Sequence, residues 1–411
     1  MSSSVPQQQQ PSTSLSNPNY RPSANGANGP AGSAADDGAG VPTAVVQVPD
    51  EKKNKPKNTK LRQQRLPAWQ PILTASSVIP AVVGIGVVFL PVGVLLTLAS
   101  NSVVEMEVDY TDWAAARPAV EDANLTCADF LDKYRFERAK KRCRVEQTIE
   151  LYSAMEGDVH FYYGLANYYQ NHRRYMKSRS DVQLLGHNLG AISDCKGTFG
   201  SVVDKKTGVK KPIVPCGAVA NSMFNDTFVL RYYPSNGTEA PLTVPFTSKG
   251  VVWAVDRERK YKNPADIEEL RSSAYAKPPN WQKSIADLGN EEDGVGFQNV
   301  DFIVWMRTAA LPNFRKFYRK LDRKPGTPFA GGLPVGTYGL EIDYNYQVRS
   351  FQGRKSFVLS TTSWMGGKNG FLGVAYIFVG VLCLILGAVF VGIHIKFGKS
   401  LTEISTVRGG N

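Results

Sequence analysis

Between Lys368 and Lys396 the chain carries no Asp, Glu, Lys or Arg, and the segment Gly370 to Ile395, GFLGVAYIFVGVLCLILGAVFVGIHI, is apolar almost throughout. About 20 such residues in a helix cross the ~30 Å of hydrocarbon in a bilayer, so this stretch predicts a membrane-spanning helix. Its glycines are regularly placed: Gly373, Gly380 and Gly387 recur every seven residues. A helix drifts only ~20° per heptad, so the three line one face. Glycine is also common in membrane helices generally, but in lipid a row of small residues is the usual mark of a surface that another helix approaches closely. The chain offers one other candidate span, so part of this glycine face is expected to receive a helix from a different polypeptide.

That other span, Val78 to Leu98, begins too deep in the chain and is too long for an ordinary cleaved signal peptide, and reads as an uncleaved crossing. Pro80 and Pro91 lie inside it, where each removes a backbone donor and favours a bend. Seven Lys and Arg between Lys52 and Arg65 precede the first span, and Lys396, Lys399 and Arg408 follow the second. Glu105, Glu107, Asp109 and Asp112 come just after the first. Positive residues favour the cytoplasmic side, so both termini are expected there. The boundaries follow: a disordered tail over 1–50, poor in large apolar residues; a basic juxtamembrane segment over 51–73, either a solvated linker or a contact to anionic lipid; spans over 74–99 and 370–395; a lumenal or extracellular region over 100–369; and a cytoplasmic tail over 396–411.

The middle region carries the marks of an oxidising, glycosylating compartment. Three N-x-Ser/Thr acceptors, Asn124, Asn225 and Asn236, all fall within it. So do Cys127, Cys143, Cys195 and Cys216, while Cys383 lies in the second span. Four cysteines allow three connectivities, of which sequence proximity favours Cys127–Cys143 with Cys195–Cys216. No C-x-x-C spacing or nearby histidine pair supports a metal site. The net charge of +12 does not signal nucleic acid. Residues 1–70 hold eight basic against four acidic residues and the tail after Ile395 three against one, which leaves no concentrated basic face between.

Alternation of Tyr338, Leu340, Ile342, Tyr344, Tyr346 and Val348 predicts a half-buried strand. Further strands are expected over Asp226–Tyr233, Gly250–Val255, Asp301–Met306 and Ser356–Thr362, separated by Pro/Gly/Asn-rich turns. Helix is expected in DFLDKYRFERAKKRCRVEQ after Cys127, with a turn or two of helix in NYYQNHRRYMKS and near LPNFRKFYRKL. The region therefore reads as one mainly antiparallel β domain, sandwich-like, with a few short helices. Of the four histidines, none stands in a nucleophile-elbow or zincin pattern, and NHRRY around His172 reads as a hydrogen-bonded structural knot. The acidic EEDGVG at Glu291 lacks EF-hand spacing. No catalytic centre is expected.

The strings LPAWQP (Leu66–Pro71), NYYQNHRRYMKSRS (Asn167–Ser180), PCGAVANSMFNDTF (Pro215–Phe228), PPNW (Pro278–Trp281), DFIVWMRTAALPNFRK (Asp301–Lys316) and STTSWMGGKNGFLG (Ser360–Gly373) closely resemble those of the accessory (β) subunits of type IV P-type ATPase lipid flippases, the cell-division-cycle-fifty or ligand-effect-modulator family. The resemblance covers about Leu66 to Lys396. Some relatives have an extra lumenal disulfide, which four lumenal cysteines cannot supply here. The resemblance implies a non-catalytic partner of a ten-span ATPase, needed for its endoplasmic reticulum exit, stability and transport of phospholipid to the cytoplasmic leaflet. ATP and Mg²⁺ would belong to the partner, and this chain would hold no cofactor. The expected home is a membrane of the secretory pathway, Golgi, endosome or plasma membrane. Trp69, between Pro67 and Pro71, suits an interfacial anchor. Arg307, polar amid an apolar run, needs a partner if buried, within the domain or on the ATPase. Topology alone equally permits a free-standing receptor or adhesion module.

Overall fold

The computed structural model describes residues 59–62, 64, 66, 74–114, 126–133, 143–195, 197–204, 207–234 and 240–398. Two units separate at Pro71. In the first, the described residues form a turn closed by Gln64 N–H donating to the Leu61 carbonyl. Everything else belongs to the second. Trp69, Asn124, Asn236 and both terminal tails lie outside the described residues.

Two long helices, α1 (Ala75–Asn101) and α4 (Gly370–Phe397), stand at the ends of the second unit. With 27 and 28 residues they are each about 40 Å long, enough to cross a bilayer. α1 runs on through Pro80 and Pro91. Between them lie several short helices, of which α2 (Cys127–Lys133) and α3 (Val300–Met306) are the longest, and nine strands in two main sheets: β1 (Glu105–Asp109), β2 (Cys143–Leu151), β3 (His160–Ala166), β4 (Thr227–Tyr233), β5 (Leu242–Thr243), β6 (Phe246–Thr247), β7 (Phe314–Leu321), β8 (Gly336–Tyr344) and β9 (Arg354–Ser360). The five-stranded sheet runs β1-β9-β3-β7-β6 and the four-stranded sheet β2-β8-β4-β5. All pairings within them are antiparallel.

Alternation explains how the sheets face each other. On β3 and β9, Phe161, Tyr163 and Phe357 are buried between the sheets, as are Phe228 and Tyr344 on β4 and β8. Phe228 and Phe357 stack with centroids 4.8 Å apart, and Tyr110 packs edge-on against both Phe228 and Tyr344. Such pairs add ~0.5–1.5 kcal/mol each beyond the area they bury. The aromatic interior makes the domain a two-sheet sandwich joined to a pair of membrane helices.

Four expectations change. Asp301–Met306 is helix, not strand: Asn299 caps it by accepting from the Phe302 amide at 3.0 Å, and five of its seven side chains are buried. An apolar run buried on all sides has no period to distinguish helix from strand. FRKFYRKL is strand β7 rather than helical turn, because β3 and β6 pair with it on both sides. Gly250–Val255 forms turns leading into a single π-helical turn, Asp256–Lys260. After Cys127 only seven residues are described as helix, and Cys143–Leu151 is strand.

Candidate interaction surfaces

The glycine face of α4 is occupied by α1. An added Cβ would come within 2.8 Å of the Thr97 backbone nitrogen at Gly373, 2.9 Å of the Leu90 nitrogen at Gly380 and 2.6 Å of the Val83 side chain at Gly387. Those three contacts on α1 are themselves seven apart. A second row answers from α1: Cβ atoms on Gly86 and Gly93 would meet the Leu384 side chain at 2.8 Å and the Ile377 nitrogen at 2.7 Å. The helices are thus an antiparallel pair in heptad register, with backbones in contact wherever a side chain is missing. Phe89 and Tyr376 stack across the seam, and the Asn369 amide donates to Ser100 Oγ where the helices meet the domain. The expectation that part of this face receives a foreign helix is therefore corrected, since the chain's own first span fills it. The remaining helix surface exposes Val87, Leu95, Phe378 and Ile385, suited to lipid or to a further helix. Gly86 and Gly93 recur at the same seven-residue spacing in the sequence.

Arg307 finds an ionic partner inside the domain. Its Nη2 lies 2.7 Å from Asp256 Oδ2, an ionic contact rather than an aligned hydrogen bond, and Lys260 holds the other oxygen at 2.9 Å. Its guanidinium also covers Trp253, which is 70% exposed. The neighbouring strand sends Lys316 inward to close α3: its ammonium donates to the carbonyls of Val304 and Trp305 at 2.9 Å each, and to that of Arg307. A cation there complements the negative end of the helix. Burial, and then the positive Arg307, pull the amine down to about 7.

The covalent staples stand on these elements. Cys127 bonds Cys143, tying the start of α2 to β2, and Cys195 bonds Cys216, with Cα–Cα distances of 5.7 and 5.9 Å. Gln183, buried, surrounds the second: Nε2 donates to the Leu189 and Ile213 carbonyls, and Oε1 accepts from the Cys216 amide. Asn225 is exposed, while its sequon neighbour Asp226 is buried.

Asp226 is the centre of an unanticipated knot. One oxygen accepts from Tyr110 Oη at 2.8 Å and Lys355 Nζ at 2.6 Å; the other accepts from the amides of Asn345 and Tyr346 at 2.6 Å each. Both charged side chains are wholly buried. Lys355 also donates to the Tyr346 carbonyl and sits over the Tyr344 ring at 3.1 Å. Burial lowers its amine to about 8 despite Asp226 beside it, and raises Tyr110 well above its ordinary range, an effect the Asp226 charge reinforces. Nothing in the sequence near Lys355 signals this; strand register brings it to Asp226. The knot locks the two sheets to each other.

The described histidines stand apart from one another. His160 is half-buried against Phe317, with its Nδ1 unpartnered and its pKa lowered, mainly by burial and then by Lys320. The NHRRY string is knotted only in part: Asn171 donates to the Ala310 carbonyl, while His172, Arg173 and Arg174 are exposed. Among the described residues no three His, Cys, Asp or Glu side chains are grouped to hold a metal ion.

Residues 96–400 match the model of the LEM3 (ligand-effect modulator 3) family / CDC50 family. Among curated relatives, cell cycle control protein 50A of Bos taurus is 44% identical over 355 residues, covering 85% of this chain and 91% of that protein. Cell cycle control protein 50B of Homo sapiens is 38% identical, covering 84% and 95%. ALA-interacting subunit 3 of Arabidopsis thaliana is 37% identical, covering 85% and 89%. With its paired membrane helices and stapled sandwich between them, the chain belongs to the LEM3/CDC50 family, a non-catalytic accessory family.

Proposed function

We propose that this chain is the accessory subunit of a phospholipid-translocating type IV P-type ATPase, needed for the export of that enzyme from the endoplasmic reticulum, its stability and its turnover. The observation that carries the reading is family membership along most of the chain, in company with a relative whose own name is that of an interacting subunit. The structure supports it in two ways. The helix pair leaves exposed apolar surface on which the enzyme's helices can lie, and the domain has a frame stapled by two disulfides. ATP, Mg²⁺ and the phosphorylated carboxylate belong to the enzyme. In this reading both termini are cytoplasmic, the sandwich is lumenal or extracellular, and Asn124, Asn225 and Asn236 carry glycans. Trp69 anchors the cytoplasmic interface.

Affinity purification of the tagged full chain in mild detergent, followed by mass spectrometry, is expected to recover a P-type ATPase; deletion of this chain is expected to leave that ATPase in the endoplasmic reticulum. Normal localisation and activity of the ATPase without the chain would refute the proposal. Stable surface display of this chain alone, with no ATPase attached, would favour a free-standing receptor instead.

A further inference from the structure

The outer face of the five-stranded sheet holds a pocket that none of the contacts above uses. Alternation along β1 turns Glu105, Glu107 and Asp109 outward, away from the sandwich interior. Two of these are neutralised: Arg315 Nη1 reaches Glu105 at 2.6 Å, and Arg354 Nε reaches Asp109 at 2.7 Å. Glu107 lies between them, exposed, and has no hydrogen-bonding or ionic partner among the described residues. The two ion pairs flank a cavity of about 410 Å³ that Glu107, Gly164 and Ser356 line. Residue 164 carries no side chain, and the Ser356 hydroxyl lies where a Cβ would stand. Ser356 is 7% exposed, and its hydroxyl, aimed over Gly164, is likewise unpartnered among the described residues. The pocket therefore has one uncompensated negative charge at its rim and one free hydroxyl on its floor.

A group that satisfies both is a cation with several donors. We infer that the pocket receives one lysine or arginine side chain of the ATPase, pairing with Glu107 and donating to Ser356 Oγ; this rests on the subunit reading above. A lone ion pair in water is a weak contact, too weak to hold a free amine. The same pair gains when a surrounding interface excludes water, which makes a docked protein the fitting source. β1 is also an edge strand, so the pocket can be approached from the side of the sheet.

The test uses the tagged full chain, purified from membranes in mild detergent, with recovered ATPase quantified against wild type. Glu107→Lys is expected to lower recovery tenfold or more, and Glu107→Gln about threefold to tenfold, with the wild-type thermal transition kept. Glu150→Lys, an exposed charge reversal on the other sheet, is the control and is expected to leave recovery unchanged. Wild-type recovery by Glu107→Lys, or equal losses from Glu150→Lys, would overturn the pocket while leaving the subunit reading intact. Absence of ATPase from the wild-type preparation would overturn the reading itself, and the occupant with it.

Discussion

At the scale of single residues, the domain depends on polar groups placed where aromatic packing would otherwise be continuous. Asp226 and Lys355 are each wholly buried, so removing one charge strands the other. Asp226→Asn, which keeps shape and sequon, is expected to cost roughly 3–5 kcal/mol, lowering the thermal midpoint of the detergent-purified chain by about 10 °C. Adding Lys355→Met should restore most of that loss; a single substitution costing under about 1 kcal/mol would show the pair to be dispensable. A pH dependence follows from the tyrosines. Burial raises Tyr318 and Tyr261 to about 12, and Tyr163 and Tyr346 further. Above pH 10 the unfolded chain releases these protons while the folded domain keeps them, so stability falls as pH rises from about 10. Denaturant midpoints at pH 9 and 11 measure this, and equal midpoints would contradict it.

At the scale of elements, the helix pair is held by what its side chains lack. Gly380→Leu and Gly86→Leu are each expected to force α1 and α4 apart, because the new atoms would meet backbone or side chain within about 3 Å. Gly84→Leu is the internal control, since nothing lies within 4 Å of a Cβ there. Cysteines placed at Val83 and Gly387 report the separation: oxidation is expected to crosslink them in the otherwise native and Gly84→Leu chains, and poorly with Gly380→Leu. Efficient crosslinking with Gly380→Leu would mean that the seam yields without opening. The β elements show how locally informative patterning is. The alternation from Tyr338 to Tyr344 was readable as a half-buried strand because its apolar residues have period two, whereas DFIVWM carries no period and its Asn299 cap and burial decide for helix.

At the scale of the whole molecule, two short covalent loops frame a sandwich whose strands pair across long stretches of sequence. Cys195→Ser with Cys216→Ser removes a loop closure worth ~3 kcal/mol in the chain-entropy model, and the thermal midpoint of the full chain is expected to fall by roughly 6–12 °C. An unchanged midpoint would show that Gln183 and its hydrogen bonds suffice. Sequence by itself determined the two spans, the mainly antiparallel body between them and the nearest-neighbour cysteine pairs. Each depends on length, period or proximity, which are local properties of a chain. The tertiary structure alone decided that the heptad glycines meet the chain's own first helix, that Arg307 pairs with Asp256, and that Asp226 and Lys355 bury each other. Those choices depend on which distant segment arrives at a given face, and burial makes the pairing energetically decisive only after the sheets have closed.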